Sequence, residues 1–130
     1  MENVIIEVGL DIVEIERIKK LCEKYKRFKE RIYSLRELEQ LSGKKDLYPS
    51  LAARFAAKEA FIKAIGVRYS GWDWKDVEIL YGISGKPEIN LRNKALEFAL
   101  QKGVKDIKVS ISHTHKYAVA VVLITIKGDK

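Results

Sequence analysis

The 130-residue sequence contains one cysteine, Cys22, two prolines and no long run of apolar residues. A single cysteine cannot form an internal disulfide framework, which favours a reducing compartment such as the cytoplasm. No stretch approaches the roughly 18 apolar residues of a membrane span. The N-terminal segment has a short apolar run, three acidic residues and no basic leader, which argues against a signal peptide. We therefore expect a cytoplasmic protein without a membrane partner.

The composition is typical of a globular protein, with 47% hydrophobic and 33% charged residues. The length predicts a single domain over residues 1–130, with one hydrophobic core. The formal net charge of +7 favours an acidic partner. That partner could be a nucleic acid, an anionic lipid, a phosphorylated ligand or an acidic protein, because net charge alone does not distinguish them.

Apolar periodicity and turn residues predict the element order β-α-α-α-β-α-β-β. The predicted strands are Val4–Gly9, Val77–Tyr81, Ile107–Ile111 and Tyr117–Ile126, and 82–87 is predicted to be a loop. The predicted helices are Glu14–Ile32, a short helix after a capping box at Ser34–Glu37, a helix from Pro49 to Gly66, and Leu91–Lys102 with Asn90 as its cap. Consecutive strands near the end favour an α+β fold, an antiparallel sheet packed against helices.

The helix predicted from Pro49 to Gly66 has few charges in an otherwise apolar segment: Arg54, Lys58, Glu59 and Lys63. At 100° per residue Arg54 and Lys58 form one row, and Glu59 and Lys63 form another about 140° away. Glu59 and Lys63 could be a surface ion pair worth a few tenths of a kcal/mol. An enclosed charge, however, is costly without a partner or a metal.

A second isolated carboxylate, Asp11, ends the apolar, strand-like run that begins with the first predicted strand. Taken alone it could be a turn residue or a helix N-cap. Together, Asp11, Glu59 and Lys63 favour a shared site for a metal and a phosphate. Magnesium fits best, since it is commonly held by one or two carboxylates plus phosphate oxygens and water. The histidines and Cys22 show no zinc pattern, and no Gly-x-Ser-x-Gly segment indicates a serine nucleophile.

Two further segments are weaker candidates for binding phosphate. Ser112 and His113 fall at the end of a predicted strand, where a lone histidine is more often a solvated bystander. The loop containing Gly85, Lys86 and Pro87 lacks the glycine spacing of a P-loop. It could still offer backbone N–H groups and a lysine to a phosphate.

The first predicted helix carries a basic stripe, whose members Arg17, Lys20, Lys24, Arg27 and Arg31 follow helical spacing. The stripe could be a solvated amphipathic face, or a docking surface for an acidic helix or a nucleic acid. No nucleic-acid recognition motif accompanies it. We therefore expect no nucleic-acid partner.

Four segments together resemble the holo-acyl-carrier-protein synthase family, the short 4′-phosphopantetheinyl transferases. They are residues 8–17 (VGLDIVEIER), 54–64 (RFAAKEAFIKA), 85–87 (GKP), and 112–113 (SH) with 117–120 (YAVA). The second is the most specific, and the order and spacing agree over nearly the whole chain. The resemblance implies that family's fold and a homotrimer with active sites at subunit boundaries. It also implies an enzyme of fatty acid biosynthesis that moves the phosphopantetheine arm of coenzyme A onto a serine of apo acyl carrier protein.

The resemblance also implies a role for each candidate residue. Asp11 and Glu59 would hold magnesium, and Lys63 would contact the pyrophosphate and stabilise the departing adenosine 3′,5′-bisphosphate. Arg54, Gly85, Lys86, Pro87, Ser112 and His113 would bind coenzyme A. Arg17, Lys20, Lys24 and Arg27 would dock the acidic carrier protein.

Some alternatives stay open at this level. The base that accepts the proton of the carrier serine is a water or one of the carboxylates, manganese could replace magnesium, and the carrier could be a peptidyl carrier domain. From another functional class, a non-enzymatic basic module that binds RNA or protein remains the rival.

Overall fold

A computed structural model of the chain describes residues 3–66 and 71–128. The strands are β1 (Val4–Glu14), β2 (Val77–Tyr81), β3 (Pro87–Leu91), β4 (Val104–His113) and β5 (Tyr117–Lys127). The helices are α1 (Ile15–Lys24), α2 (Phe28–Ile32), α3 (Leu35–Leu41), α4 (Tyr48–Ile65) and α5 (Asn93–Lys102), and a 3-10 turn at Trp74–Asp76 precedes β2. The expected α+β architecture is confirmed.

The larger sheet has the order β1-β5-β4 and is antiparallel throughout, and β2 and β3 form a separate antiparallel pair. In the central strand β5, alternate residues are buried, among them Ala118, Ala120, Val122 and Ile124. Successive side chains of a strand point to opposite faces. One face of the sheet is therefore buried in the hydrophobic core, and α4 packs against it.

Helix α4 is buried around most of its circumference, as its composition predicts. Pro49 lies in its first turn, and Gly66 ends it in the left-handed region at φ 82°. β1 approaches the helix so closely at Gly9 that an added Cβ would lie 1.9 Å from the carbonyl oxygen of Ala60. Only glycine fits there, and this contact fixes β1 against the second half of α4. Within residues 3–66 and 71–128 no helix is long and apolar enough to cross a membrane.

Two predictions near the N-terminus are wrong. β1 continues to Glu14, so Asp11 lies inside the strand and does not end it. The helix predicted over Glu14–Ile32 is broken, because Tyr25 adopts an extended backbone and α2 starts at Phe28. The break lets the Phe28 ring approach the rings of Tyr33 and Phe55, each at 6.4 Å between centroids. Tertiary packing of aromatics thus overrides the helical periodicity.

The region after β2 also differs from the prediction. Residues 87–91 form β3, so Asn90 lies in a strand opposite Glu78 and caps no helix. Helix α5 begins at Asn93. Pro87 lies opposite Tyr81 at the end of the hairpin, where Tyr81 directs its backbone groups away from β3. The N–H that Pro87 lacks is therefore not needed.

Candidate functional site

Asp11 and Lys63 meet between β1 and α4. The Lys63 Nζ lies 3.1 Å from Asp11 Oδ1 and donates a second hydrogen bond, of 3.0 Å, to the carbonyl oxygen of Leu10. The Asp11 side chain is 15% exposed and that of Lys63 is 57% exposed. The close approach at Gly9, two residues earlier, makes this contact possible. The pair is accessible to a ligand from solvent.

Glu59 belongs to the same flank of α4. It lies one helical turn before Lys63 and directly precedes Ala60, the residue against which Gly9 packs. Glu59 is half-buried and Lys63 is exposed, so the row is less enclosed than the sequence suggests. Lys63 contacts Asp11, and Glu59 lies one turn from Lys63 on the same side of the helix, so we call Asp11, Glu59 and Lys63 the carboxylate flank.

The donor set of the carboxylate flank suits a hard cation. In the part of the chain that the structure describes, no group of three or more His, Cys, Asp or Glu side chains could hold a metal ion. The carboxylates of this flank are two, Asp11 and Glu59. Two carboxylates match magnesium, which keeps sites for phosphate oxygens and water, but they do not match a closed zinc centre.

A second group surrounds a cleft of about 490 Å³ beside the N-terminal half of α4. Its lining includes Gln40, Lys44, Ser50, Arg54, Tyr81 and His113. Lysine, arginine and the positive end of a helix favour a negatively charged ligand there. We call it the nucleotide cleft, after the coenzyme A nucleotide that the motif resemblance implies as the ligand of Arg54 and His113.

Arg54 is a wall of the nucleotide cleft. It is 3% exposed. Its Nε donates to the Ile79 carbonyl oxygen at 3.1 Å, and its Nη2 donates to Gln40 Oε1 at 3.0 Å. The guanidinium carbon lies 4.8 Å from the centroid of the Tyr81 ring. Burial lowers the pKa of Arg54 and raises that of Tyr81. These protein contacts hold much of the guanidinium, so Arg54 is less free for a phosphate than the sequence suggests.

The Gly85-Lys86-Pro87 segment is the tip of the β2–β3 hairpin. The Gly82 N–H donates to the Lys86 carbonyl oxygen, and the Gly85 N–H donates to the Gly82 carbonyl oxygen. Gly85 takes the positive φ, 84°, that the turn requires. Because these two N–H groups donate hydrogen bonds within the turn, they are not available to bind a phosphate. Lys86 is exposed at the tip.

Ser112 and His113 do not face the same way. His113 is opposite Ala118, a buried core residue, whereas Ser112 is opposite Val119. Since adjacent strand residues alternate faces, His113 lines the cleft and Ser112 lies on the outer face of the sheet. The structure therefore places His113 in the cleft and Ser112 outside it, and the expectation that Ser112 contributes to the same ligand site stays a prediction.

The candidate residues thus fall into two groups, on either side of α4. Arg54 and Lys63 are nine residues apart, which is roughly 13 Å along the helix and about half a turn around it. Arg54 faces the nucleotide cleft, which β4 borders at Ile111 and His113, and Lys63 faces β1. The body of α4 separates the two groups within the chain.

The basic stripe is divided by the break between α1 and α2. Arg17, Lys20 and Lys24 lie on α1 and line a shallow surface depression together with Glu14 and Glu16. Arg27 lies beyond the helix end and pairs with Glu30 at 3.6 Å. The stripe is therefore one helical face of three residues followed by a separate basic segment.

Sequence reasoning missed a buried ion pair between Lys58 and Glu37. Lys58 Nζ lies 2.8 Å from Glu37 Oε1, and both side chains are fully buried. The ammonium also donates to the carbonyl oxygens of Trp74 and Val77. Burial lowers the pKa of Lys58, and Glu37 opposes that effect. Two sequence features could have indicated this pair: a lysine in an apolar helix, and the glutamate of a capping box. Glu37 both caps α3 and pairs with Lys58.

The outer face of β1 is an exposed apolar stripe. Ile6, Val8, Leu10 and Ile12 alternate along the strand and are each 60–63% exposed. Leu123 of β5, opposite Val8, extends the stripe at 41% exposure. Contiguous apolar patches of this kind mark interaction surfaces in soluble proteins.

Comparison with known proteins gives consistent matches. A family model described as the 4′-phosphopantetheinyl transferase superfamily matches residues 7–122. The holo-[acyl-carrier-protein] synthase of Caldanaerobacter subterraneus subsp. tengcongensis is 48% identical over 116 residues, covering 89% of this chain and 91% of that protein.

Two solved structures share the fold. The holo-[acyl-carrier-protein] synthase of Neisseria meningitidis superposes with a TM-score of 0.85 at 31% identity, covering 91% of this chain and 96% of that one. The corresponding synthase of Bacillus anthracis, solved in complex with CoA (3′,5′-ADP), gives a TM-score of 0.79 at 32% identity, covering 96% and 100%.

Proposed function

The chain belongs to the 4′-phosphopantetheinyl transferase superfamily, and from this membership we propose that it transfers the 4′-phosphopantetheine arm of coenzyme A to a serine of apo acyl carrier protein. The family read from the sequence motifs is confirmed, and the protein is a phosphopantetheinyl transferase. Adenosine 3′,5′-bisphosphate is the proposed second product. The observation that carries the proposal is the contact of Asp11 with Lys63 beside Glu59, at the motif positions.

The carboxylate flank supplies the proposed chemistry. Asp11 and Glu59 would hold magnesium, whose charge would offset that of the coenzyme A pyrophosphate when it is bound. The carrier serine oxygen attacks the phosphorus that bears the pantetheine arm, and the bond from that phosphorus to the oxygen of the adenosine bisphosphate breaks. Lys63 stabilises the departing bisphosphate, as a cation and hydrogen-bond donor. The serine proton passes to a water or to one of the carboxylates.

The nucleotide cleft would receive the adenosine end of coenzyme A. Lys44, Ser50 and His113 line it and offer a cation and polar groups to phosphates. Lys86 of the hairpin tip would approach from one side, next to Gly85 and Pro87. Arg54 would shape the wall and contribute positive potential.

The separation of the two groups supports a homotrimer. The carboxylate flank of one subunit and the nucleotide cleft of its neighbour would together form each active site. The apolar stripe on β1 is the surface that this assembly would cover, and Ser112 lies on the same face of the sheet. Cyclic symmetry would then repeat one interface three times.

Replacing Leu10 with glutamate should dissociate this trimer, because a charge would be buried in an apolar interface. Size-exclusion chromatography with light scattering should give three times the 14.9 kDa chain mass for the wild type and one chain mass for the variant. Transfer activity should fall with dissociation. Leu100→Glu, on exposed α5, is the matched control. A wild-type monomer with full activity would contradict the shared site.

Arg17, Lys20, Lys24 and Arg27 would dock the acidic carrier. Reversing Arg17 and Lys24 to glutamate should raise the KM for the carrier about 10-fold or more and change the KM for coenzyme A less than about twofold, because rim charges act mainly on encounter with a charged partner. The matched control is the double variant Lys94→Glu and Lys102→Glu on α5, which changes the net charge by the same amount as the Arg17 and Lys24 reversals. Equal effects of the two double variants, or equal effects on both substrates, would count against this docking surface.

The test of the proposed function is to incubate the protein with magnesium, coenzyme A and apo acyl carrier protein and to weigh the carrier by mass spectrometry. The carrier should gain one phosphopantetheine group, and the gain should disappear with a chelator or when the carrier serine is replaced by alanine. An unchanged mass together with salt-dependent RNA binding would favour the rival, a non-enzymatic basic module. We further propose one domain over residues 1–130, a cytoplasmic location and a role in fatty acid biosynthesis.

A further inference from the structure

The outer edge of β2 is closed by side chains rather than by another strand. In this antiparallel pair, alternate residues of β2 bond to β3, and Val77, Ile79 and Tyr81 direct their backbone groups towards α3 and α4. An unpaired edge of this kind needs other partners. Four side chains of α3 and α4 supply them: Glu37, Gln40, Arg54 and Lys58.

Three of these side chains secure the first part of the edge. Lys58 donates to the Val77 carbonyl oxygen at 2.7 Å. Glu37 accepts from the Ile79 N–H at 3.0 Å, and Arg54 donates to the Ile79 carbonyl oxygen at 3.1 Å. These bonds are buried, so they hold the start of β2 firmly against the two helices.

Gln40 secures the last residue of the strand, at the rim of the nucleotide cleft. Its Oε1 accepts from the Tyr81 N–H at 2.9 Å, and its Nε2 donates to the Tyr81 carbonyl oxygen at 2.9 Å. The amide thus binds both backbone groups of Tyr81, as a neighbouring strand would. Gln40 Oε1 also accepts from Arg54 Nη2 at 3.0 Å. One side chain therefore connects the two residues whose cation–ring contact forms the cleft wall.

We infer that Gln40 is a positioning residue that fixes Tyr81 and Arg54 as the wall of the nucleotide cleft and so sets the affinity for the adenosine bisphosphate end of coenzyme A. The inference rests on the proposed function for the identity of that ligand. Both lone pairs of Gln40 Oε1 and one N–H of Nε2 are taken up by Tyr81 and Arg54, and we infer that Gln40 acts on the ligand through these two neighbours. The hairpin tip, which follows Tyr81 directly, is held by the same contact.

The test uses two substitutions at Gln40 in the full chain. Gln40→Met removes all three hydrogen bonds at similar size. Gln40→Glu keeps acceptors for the Tyr81 N–H and for Arg54 but cannot donate to the Tyr81 carbonyl oxygen. Gln101→Met, on the exposed surface of α5, is the matched control. The measurements are kcat, the KM for each substrate, calorimetric binding of adenosine 3′,5′-bisphosphate, and amide hydrogen exchange at Tyr81.

We expect Gln40→Met to raise the KM for coenzyme A and the Kd for the bisphosphate by about 5- to 20-fold, the effect of one or two lost hydrogen bonds. The KM for the carrier and kcat should change less than about threefold, exchange at Tyr81 should accelerate, and Gln40→Glu should lie between Gln40→Met and the wild type. A purely structural role would lower the active fraction, and with it kcat, and leave both affinities unchanged.

The inference is overturned if exchange at Tyr81 accelerates while the KM and Kd stay within twofold of the wild type. It is also overturned if kcat alone falls. Should Gln40→Met not fold, Gln40→Glu with wild-type affinities gives the same negative result. Wild-type protein that binds the bisphosphate but transfers no phosphopantetheine would refute the proposed function. Comparing the Kd of the bisphosphate between the wild type and the Gln40 variants would still test the role of Gln40. Wild-type protein that binds no bisphosphate refutes both.

Discussion

Replacing Glu59 with glutamine, or Asp11 with asparagine, should lower magnesium-dependent transfer by at least about 10³-fold, since lost metal-assisted charge stabilisation is worth several kcal/mol. Each substitution keeps the size of the side chain and removes its charge. With one carboxylate the flank would bind a divalent ion weakly. Lys63 would then be the cation of the flank that offsets the negative charge of the pyrophosphate. In Asp11→Asn, Lys63 would also lose its anionic partner at 3.1 Å.

The same variants should keep their fold and their nucleotide binding. Asp11 and Glu59 are only partly buried, so the melting temperature should change by no more than about 4 °C, corresponding to less than about 1 kcal/mol. Calorimetric binding of adenosine 3′,5′-bisphosphate without metal should be close to the wild-type value, because the nucleotide cleft is intact. Glu97→Gln on α5 is the control for a neutralised surface carboxylate. Activity within tenfold of the wild type in either variant would remove the metal assignment.

Lys58→Met should destabilise the protein by about 3–5 kcal/mol, the usual cost of breaking a buried ion pair by removing one partner. Glu37 would remain as a buried charge, and the carbonyl oxygens of Trp74 and Val77 would lose a donor. Denaturant unfolding monitored by circular dichroism measures the loss. Adding Glu37→Gln should recover part of it, because the stranded charge disappears while the side chain still accepts from Ile79 N–H.

Lys63→Met is the matched control on the same helix. The Lys63 side chain is exposed and its ion pair lies at the surface. The free energy of unfolding should therefore change by less than about 1 kcal/mol. Transfer, by contrast, should fall about 10²-fold or more with the loss of a donor at the departing group. Similar stabilities of the Lys58 and Lys63 variants would mean that the buried pair is not what joins α3, α4 and β2.

The predictable part of the fold lies where local signals and tertiary packing agree. The capping box at Ser34, Pro49 in the first turn of α4, Gly66 at its end and the apolar run of β5 each match their elements. The long helix predicted from Glu14 fails because aromatic contacts of Phe28 favour a break. β3 is not predicted because a half-exposed strand of five residues has a weak pattern and gains its partners only in the hairpin.

The candidate site shows the same division. Motif residues identified Asp11 and Lys63 across 52 residues of sequence, and the structure brings them into contact. Gln40 and Tyr81 could not be found in this way, since their contact depends on which edge of β2 faces α3. That Ser112 and His113 lie on opposite faces of β4 could not be predicted, because the motif does not show which face of the strand is buried.

The most direct test of the shared metal site is anomalous diffraction from a crystal grown with manganese and coenzyme A. We predict one anomalous peak within coordination distance of the Asp11 and Glu59 carboxylates and of a pyrophosphate oxygen, about 2.0–2.2 Å from each as expected for a small hard cation. A peak that lies away from either carboxylate, or a pyrophosphate bound with no ion between it and these two side chains, would contradict the proposed chemistry.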